Sequence, residues 1–122
     1  MRNPTRIYNE TANIVANPRE MEANLLYHSA ARLQAIQDHW EAKADELKDA
    51  LLHNRRLWTV FLTSVTSAEN PLPKEIRENV ANLGLFVLKR TFSLQADPRP
   101  DHLGILIAIN RNLASGLMGL AR

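Results

Sequence analysis

The chain has 122 residues, of which 45% are hydrophobic and 23% are charged, the composition of one ordinary globular domain rather than of a disordered chain. It contains no cysteine, which excludes disulfides, thiolate catalysis and cysteine-based zinc sites. The formal charge of +2 comes from 15 basic and 13 acidic residues mixed along the chain, too weak a field to indicate nucleic-acid binding by itself.

The sequence contains no segment that we interpret as a membrane span or a signal peptide. No apolar run approaches the roughly 20 residues that a transmembrane helix requires. The N-terminus lacks the apolar core of a secretory signal. We therefore expect a cytoplasmic protein without membrane insertion, and the absence of cysteine agrees with a reducing compartment.

The first helix signal follows a polar segment. Residues 1–16 are irregular, and we interpret them as an extended or loosely attached N-terminal arm. Asn17 can cap a helix, Pro18 suits the first helical position, and Glu20 lies three residues after the cap. Residues 17–122 are then predicted to form a single helical domain. The apolar face of the first helix consists of Met21, Leu25, Leu26, Ala30, Leu33, Ile36 and Trp40.

The end of the first helix carries no obvious signal, because neither glycine nor proline occurs between Arg19 and Glu69. One helix of that length would extend roughly 75 Å at about 1.5 Å per residue, far beyond a domain of this size. We therefore predict a turn between Asp38 and Lys43. The second helix carries a stripe with spacings of three and four, made of Ala44, Leu47, Leu51, Asn54, Trp58, Phe61 and Val65.

The segment "TSAENPLPKE" contains two prolines and marks a loop before the third helix, which begins near Pro73. The apolar face of this helix is broad, so we expect it to be the most enclosed helix. That face consists of Ile76, Val80, Leu83, Leu85, Phe86, Val87, Leu88 and Phe92.

A second break at "QADPRPDH" precedes the last helix, for which Asp97 or Pro100 marks the start. Gly104, Gly116 and Gly119 either weaken this helix or let another helix approach closely. Its stripe consists of Leu103, Leu106, Asn110, Leu113, Leu117 and Leu120. Four helices with short connections predict an all-α fold, an antiparallel bundle with an irregular N-terminal arm.

No motif for catalysis or metal binding is found in the sequence. The histidines at positions 28, 39, 53 and 102 lack an HExxH or Glu-x-x-His arrangement. The carboxylates from Glu41 to Asp49 alternate with lysines, as they do on a solvated helix face. No glycine-rich phosphate loop or nucleophile elbow is present. We therefore expect a protein that is not an enzyme and uses no metal, cofactor or small-molecule substrate.

Asn54 and Asn110 interrupt the apolar stripes of the second and fourth helices. A buried asparagine without a partner costs about 1–3 kcal/mol, so both side chains are expected to form hydrogen bonds. We interpret them as structural residues that set the register of the two helices, in preference to direct contact with a ligand. They pair with each other or with a backbone carbonyl, and Phe61 and Leu106 belong to the same seam.

The arginines beside the seam have two possible roles. Arg55, Arg56 and Arg111 would normally form a solvated rim, and Trp58 would be a core residue. However, arginine beside tryptophan is also the chemistry of interface hot spots. The sequence leaves both interpretations open, and these four residues are the candidate partner-binding residues.

Three segments resemble the flagellar biosynthesis regulator FlaF of alphaproteobacteria: "NRRLWTVF", "NPLPKEIRENVANLGLFVLKRT" and "LIAINRNLASGL". A Tyr-x-x-Thr arm, formed by Tyr8 and Thr11, and the following "NPREME" also fit. The resemblance covers nearly the whole chain in the right order, and its most specific parts are residues 54–58 and 109–111. Residues 37–45 share no motif with the family.

The resemblance implies a non-enzymatic role in flagellum assembly, in concert with or against an FlbT-like regulator. In one mechanism, a cytoplasmic chaperone binds flagellin before export and so promotes flagellin synthesis and secretion. In the other, the protein regulates translation of flagellin mRNA, directly or through FlbT. We favour flagellin binding because a helical bundle offers a groove to an amphipathic helix, whereas the chain lacks a basic stripe and a stacking platform for RNA. The arm, residues 1–16, is hypothesised to occupy that groove until a partner displaces it.

Overall fold

The computed structural model describes residues 17–121, which form four long helices joined by short connections. The helices are α1 (Pro18–Asp38), α2 (Leu47–Val65), α3 (Lys74–Ala96) and α4 (Gly104–Ala121). No strand occurs in this part of the chain. The predicted all-α bundle is therefore confirmed, while the predicted arm, residues 1–16, lies outside the described residues.

Hydrogen bonds at both ends of the bundle show that α1 and α4 run antiparallel. At one end, Asn17 Nδ2 donates to the carbonyl oxygen of Ala121 at 3.1 Å. At the other end, Gln37 Nε2 donates to the carbonyl oxygen of Pro100 at 2.7 Å. The same two helices form the most extensive helix–helix contact in the structure. The first and last long helices therefore hold the bundle together.

The start of α1 agrees with its sequence signal. Asn17 has an extended backbone, and its Oδ1 accepts a hydrogen bond from the backbone N–H of Arg19 at 3.0 Å. Pro18 follows at the first helical position, where a missing N–H has no consequence. Because Asn17 also bonds Ala121, one side chain caps the start of α1 and ties it to the end of α4.

The turn between the first two long helices lies at His39, within the predicted range, where φ of −124° and ψ of 46° end the helical backbone. A helical turn, Trp40–Lys43, and a 3₁₀ turn, Ala44–Glu46, then lead into α2. The prediction that the buried stripe of the second helix starts at Ala44 is wrong. Ala44 is exposed because the tighter 3₁₀ turn rotates its side chain out of the register of α2.

The expectation that the third helix is the most enclosed is also wrong. Its buried residues form one narrow stripe: Val80, Gly84, Val87, Thr91 and Leu94. Leu85, Phe86 and Phe92 are instead 56%, 40% and 60% exposed. The reason is that α3 packs extensively on α2 but has little contact with α4, so only part of its broad apolar face is covered.

The core lies between the four helices and is filled mainly by aliphatic side chains around one tryptophan. Its largest fully buried apolar side chains are Trp58, Leu26, Leu33, Ile36, Leu51, Leu94, Leu103, Leu106 and Val87. Met21 and Leu25, which were predicted on the core face of α1, are about half exposed, as is Leu120 of α4. The buried stripe of α1 instead runs through Ala23 and Leu26, one step around the helix.

Gly84 marks a close approach between α2 and α3. A Cβ atom at this position would lie 2.6 Å from Cδ2 and 2.8 Å from Cγ of Leu62, so a side chain here would force the two helices or Leu62 to move. By contrast, a Cβ at Gly116 or Gly119 would meet no atom within 4 Å. The close approach considered for these two glycines of α4 does not occur within residues 17–121.

The segment Pro100–Ala121 is long and apolar enough to cross a membrane by length and composition alone. This corrects the sequence-based statement that no segment meets that criterion. In the structure one face of the segment belongs to the core, where Leu103, Leu106 and Asn110 are fully buried, and 39% of its apolar window is buried. Core helices commonly have such a composition, so the finding is weak evidence for a membrane span.

Candidate functional site

The two seam asparagines meet at the centre of the bundle. Nδ2 of Asn110 donates a hydrogen bond to Oδ1 of Asn54 at 2.7 Å. Oγ of Ser29 donates to the same oxygen at 2.8 Å, and Nε1 of Trp58 donates to Oδ1 of Asn110 at 2.8 Å. All four side chains are buried. A single polar network therefore connects α1, α2 and α4.

One donor of this network has no partner within the described part of the chain, namely Nδ2 of Asn54. Leaving a buried N–H unpaired costs about 1–3 kcal/mol. The network therefore contributes less to stability than to register, since sliding α4 by one turn along α2 would separate Asn110 from Asn54. Phe61 and Leu106, assigned to the same seam from the sequence, are also buried.

Ser29 is the member of the network that sequence reasoning missed. It lies between Leu26 and Leu33 at spacings of three and four, so it falls in the apolar register of α1. A polar residue at such a position is the same signal that identified the asparagines. Only the three-dimensional packing shows that the serine hydroxyl reaches Asn54.

Trp58, one of the candidate partner-binding residues, lies in the core, as its default interpretation expects, and its side chain is not exposed at the surface. Its side chain is fully buried, and its ring lies 5.8 Å from that of Phe61 at an angle of 59°. Its indole N–H is engaged by Asn110. Adjacent residues of a helix point about 100° apart, so neighbours of Trp58 in sequence do not share its surroundings.

The candidate arginines lie at the surface of the bundle. Arg56 and Arg111 are exposed, and Arg55 is half-buried. None of the ion pairs found among residues 17–121 involves them. They are therefore placed where a partner can reach them, while the seam beside them is closed.

Acidic and basic residues are separated along the bundle. The greater part of each long helix, residues 23–37, 50–65, 79–96 and 104–121, contains no Asp or Glu. These ranges do contain basic residues, which are Arg32, Arg55, Arg56, Lys89, Arg90 and Arg111. The described carboxylates lie near the helix ends and in the connections. The bundle thus has a positive middle, which we call the basic belt, between ends where acidic residues outnumber basic ones.

A second apolar stripe of α3 lies beside its buried stripe. Its members repeat at spacings of four, three and four, and we call them the α3 seam: Ala81, Leu85, Leu88 and Phe92. Leu85 and Phe92 are more than half exposed, and the other two are half-buried. Lys89, which follows Leu88 and is exposed, flanks the seam. Arg90 lies on the other side of the buried stripe, where its guanidinium is 5.5 Å from the ring centroid of Phe86.

A cleft of about 480 Å³ opens at the end of the bundle where α2 begins and α3 ends. Leu47, Leu51 and Leu94 form much of its apolar lining, with Asp45 and Lys48 among its polar residues. This arrangement can hold an apolar side chain but brings no pair of acid and base groups together. No group of three His, Asp or Glu side chains capable of holding a metal occurs between residues 17 and 121.

Glu22 is a partly buried carboxylate whose pKa is perturbed. Partial burial raises the pKa of its carboxyl group, and this effect outweighs the opposite effect of Arg19, whose guanidinium donates to Glu22 Oε1 at 2.6 Å. The pair lies beside Phe61 and Leu117 at the end of the bundle where α1 begins. We assign it to packing of the helix end.

The chain was compared with known families, curated proteins and solved structures. The family model described as flagellar protein FlaF matches residues 4–117. No curated protein and no solved structure gives a significant match. The matched region spans all four helices up to Leu117, including Asn54 and Asn110, whose side chains meet in the core. The chain therefore belongs to the FlaF family of flagellar proteins.

Proposed function

We propose that this protein is a cytoplasmic, non-enzymatic flagellum-assembly factor that binds flagellin as an export chaperone and so promotes flagellin synthesis and secretion. Family membership supports the flagellar role. The observation that carries the binding role is the exposed apolar face of α3, where Leu85 and Phe92 are more than half exposed. Exposed apolar side chains grouped on one face are typical of interaction sites.

The rest of the bundle supports a binding role because α3 packs along α2, whose register is fixed by the buried network. The network of Asn54, Asn110 and Trp58 fixes the register of α2 and α4. Asn17 ties the start of α1 to the end of α4. A surface held by a defined core loses little conformational freedom on binding, which favours affinity.

Control of flagellin mRNA translation is the second candidate function, acting directly or through an FlbT-like regulator. The basic belt favours it, since it contains six basic residues and no carboxylate. However, those residues are distributed over all four helices rather than gathered on one face. RNA-binding proteins usually gather them with aromatic side chains on which bases stack.

A calorimetric titration separates the two candidates. Full-length protein is titrated with purified monomeric flagellin from the same organism in one cell and with flagellin leader RNA in another, at the same salt concentration. Assembled flagellin filaments serve as the control, because an export chaperone acts on the unassembled subunit. We expect saturable heat with monomeric flagellin and none with RNA or filaments. Binding to RNA alone would instead support direct translational control. Absence of binding in every cell would contradict both flagellin binding and direct RNA binding, and FlbT or the export machinery would be the next partner to test.

A further inference from the structure

The spacing of the α3 seam identifies the shape of its ligand. Ala81, Leu85, Leu88 and Phe92 follow the heptad pattern by which one helix packs along another. The neighbouring stripe, which contains Val80, Gly84 and Val87, follows the same pattern and is already used against α2 and the core. α3 therefore has two parallel packing surfaces. The described structure covers the first, and of the second it packs Ala81 against the core while leaving Leu85 and Phe92 more than half exposed.

The charges near the seam identify the chemistry of the ligand. Residues 79–96 contain Lys89 and Arg90 as their only charged residues, and Lys89 is the one beside the seam. Residues 50–65 of the adjacent α2 contain only Arg55 and Arg56. A helix with carboxylates beside its apolar stripe gains attraction from these cations, whereas one with a basic flank is repelled.

The same charges argue against a second copy of this chain as the occupant. A twofold dimer would place the α3 seam against itself. Each copy would then bring an exposed Lys89 to the interface, with no carboxylate between residues 79 and 96 to offset the two charges. Like charges across an interface oppose association.

We infer that the α3 seam is the docking surface for an amphipathic helix of the partner that carries carboxylates beside its apolar stripe. The identity of that partner as flagellin rests on the proposed function, whereas the chemistry of the ligand rests on the seam. The partner helix lies along α3, buries its apolar residues against Leu85 and Phe92, and places a carboxylate near Lys89. The assignment shifts the expected interface from Trp58, which is closed, to the outer face of α3.

The chain offers a matched control for testing this inference. Val60 on α2 is 67% exposed, slightly more than Phe92 at 60% and Leu85 at 56%. Of its neighbours one turn away, Arg56, Thr63 and Ser64 are polar, and Leu57 is partly buried against the core, so Val60 is not part of an exposed apolar stripe. Replacing Val60 by glutamate changes surface hydrophobicity and charge as replacing Leu85 does, but leaves the seam intact.

The experiment is calorimetry of monomeric flagellin with full-length wild type and the variants Leu85→Glu, Phe92→Glu, Lys89→Glu and Val60→Glu. Circular dichroism melting first shows that each variant folds. We expect Leu85→Glu and Phe92→Glu to weaken binding by about tenfold or more, as loss of a hot spot does, and Val60→Glu to stay within about twofold of wild type. Lys89→Glu should weaken binding and reduce its dependence on salt.

The possible failures are distinguishable. If wild type binds flagellin and the seam variants bind equally well, the seam inference is overturned while the proposed function stands. If wild type does not bind flagellin, the proposed function fails. The seam is then tested with a synthetic helical peptide that has leucines along one face and glutamates beside them. Peptide binding that Leu85→Glu abolishes and Val60→Glu retains supports the seam, and no peptide binding overturns it. Self-association that Leu85→Glu abolishes, or RNA binding that only Lys89→Glu weakens, also overturns it.

Discussion

Replacing Asn110 by alanine tests whether the buried network supports the fold. The substitution removes the acceptor of the Trp58 indole N–H and the donor to Asn54 Oδ1. A buried donor left unpaired costs about 1–3 kcal/mol, and the small cavity adds to this, so we expect the free energy of unfolding to fall by about 2–4 kcal/mol. Ser29→Ala should cost only about 0.5–1.5 kcal/mol, because Asn54 Oδ1 still accepts from Asn110.

Urea denaturation, followed by the circular dichroism signal of the helices, measures the change in the free energy of unfolding for both variants. The matched control is Asn112→Ala, the same substitution at an exposed position of the same helix, for which we expect a change within about 0.5 kcal/mol. The reasoning is refuted if Asn110→Ala is as stable as Asn112→Ala. It is also refuted if Ser29→Ala is the more damaging of the two buried substitutions.

Three further substitutions probe the helix contacts, the end of the bundle and the surface arginines. Gly84→Ala should lower the free energy of unfolding by about 1–3 kcal/mol through crowding, whereas Gly116→Ala, in open space, should raise it by about 1 kcal/mol; urea midpoints that shift in the same direction would contradict this. The pKa of Glu22 is raised in the folded state, so its stabilising effect is present at low pH and lost as the pH rises through that pKa. Melting at pH 4 and pH 7 should therefore show Glu22→Gln gaining stability relative to wild type at the higher pH, and a constant difference would exclude this cause. Arg55→Ala with Arg56→Ala should shift the melting temperature by less than about 3 °C yet weaken flagellin binding, and loss of folding would show that these arginines belong to the scaffold.

Local signals in the sequence were sufficient for the helices and for the polar centre of the core. Asn17 followed by Pro18 marks the start of α1, and it does so in the structure through a side-chain cap. The apolar stripes with one asparagine each led to the expectation that Asn54 and Asn110 form hydrogen bonds, and the two side chains contact each other. These features follow from spacing within one helix, which the sequence records directly.

Features that depend on how the helices pack against one another could not be predicted from the spacing of residues within one helix. The face of α3 is apolar over so wide an arc that the periodicity does not say which stripe meets a neighbour. The limited contact between α3 and α4 decides this and leaves Leu85 and Phe92 exposed. Likewise, the close approach at Gly84 depends on where Leu62 lies on another helix.

The most direct test of the account is the affinity of Leu85→Glu for monomeric flagellin, measured beside wild type and Val60→Glu. Wild type and Val60→Glu are expected to bind with similar affinity, and Leu85→Glu is expected to bind about tenfold more weakly or worse. Equal affinity of all three proteins would contradict the assignment of the α3 seam. Absence of binding by wild type would contradict the proposed chaperone function itself.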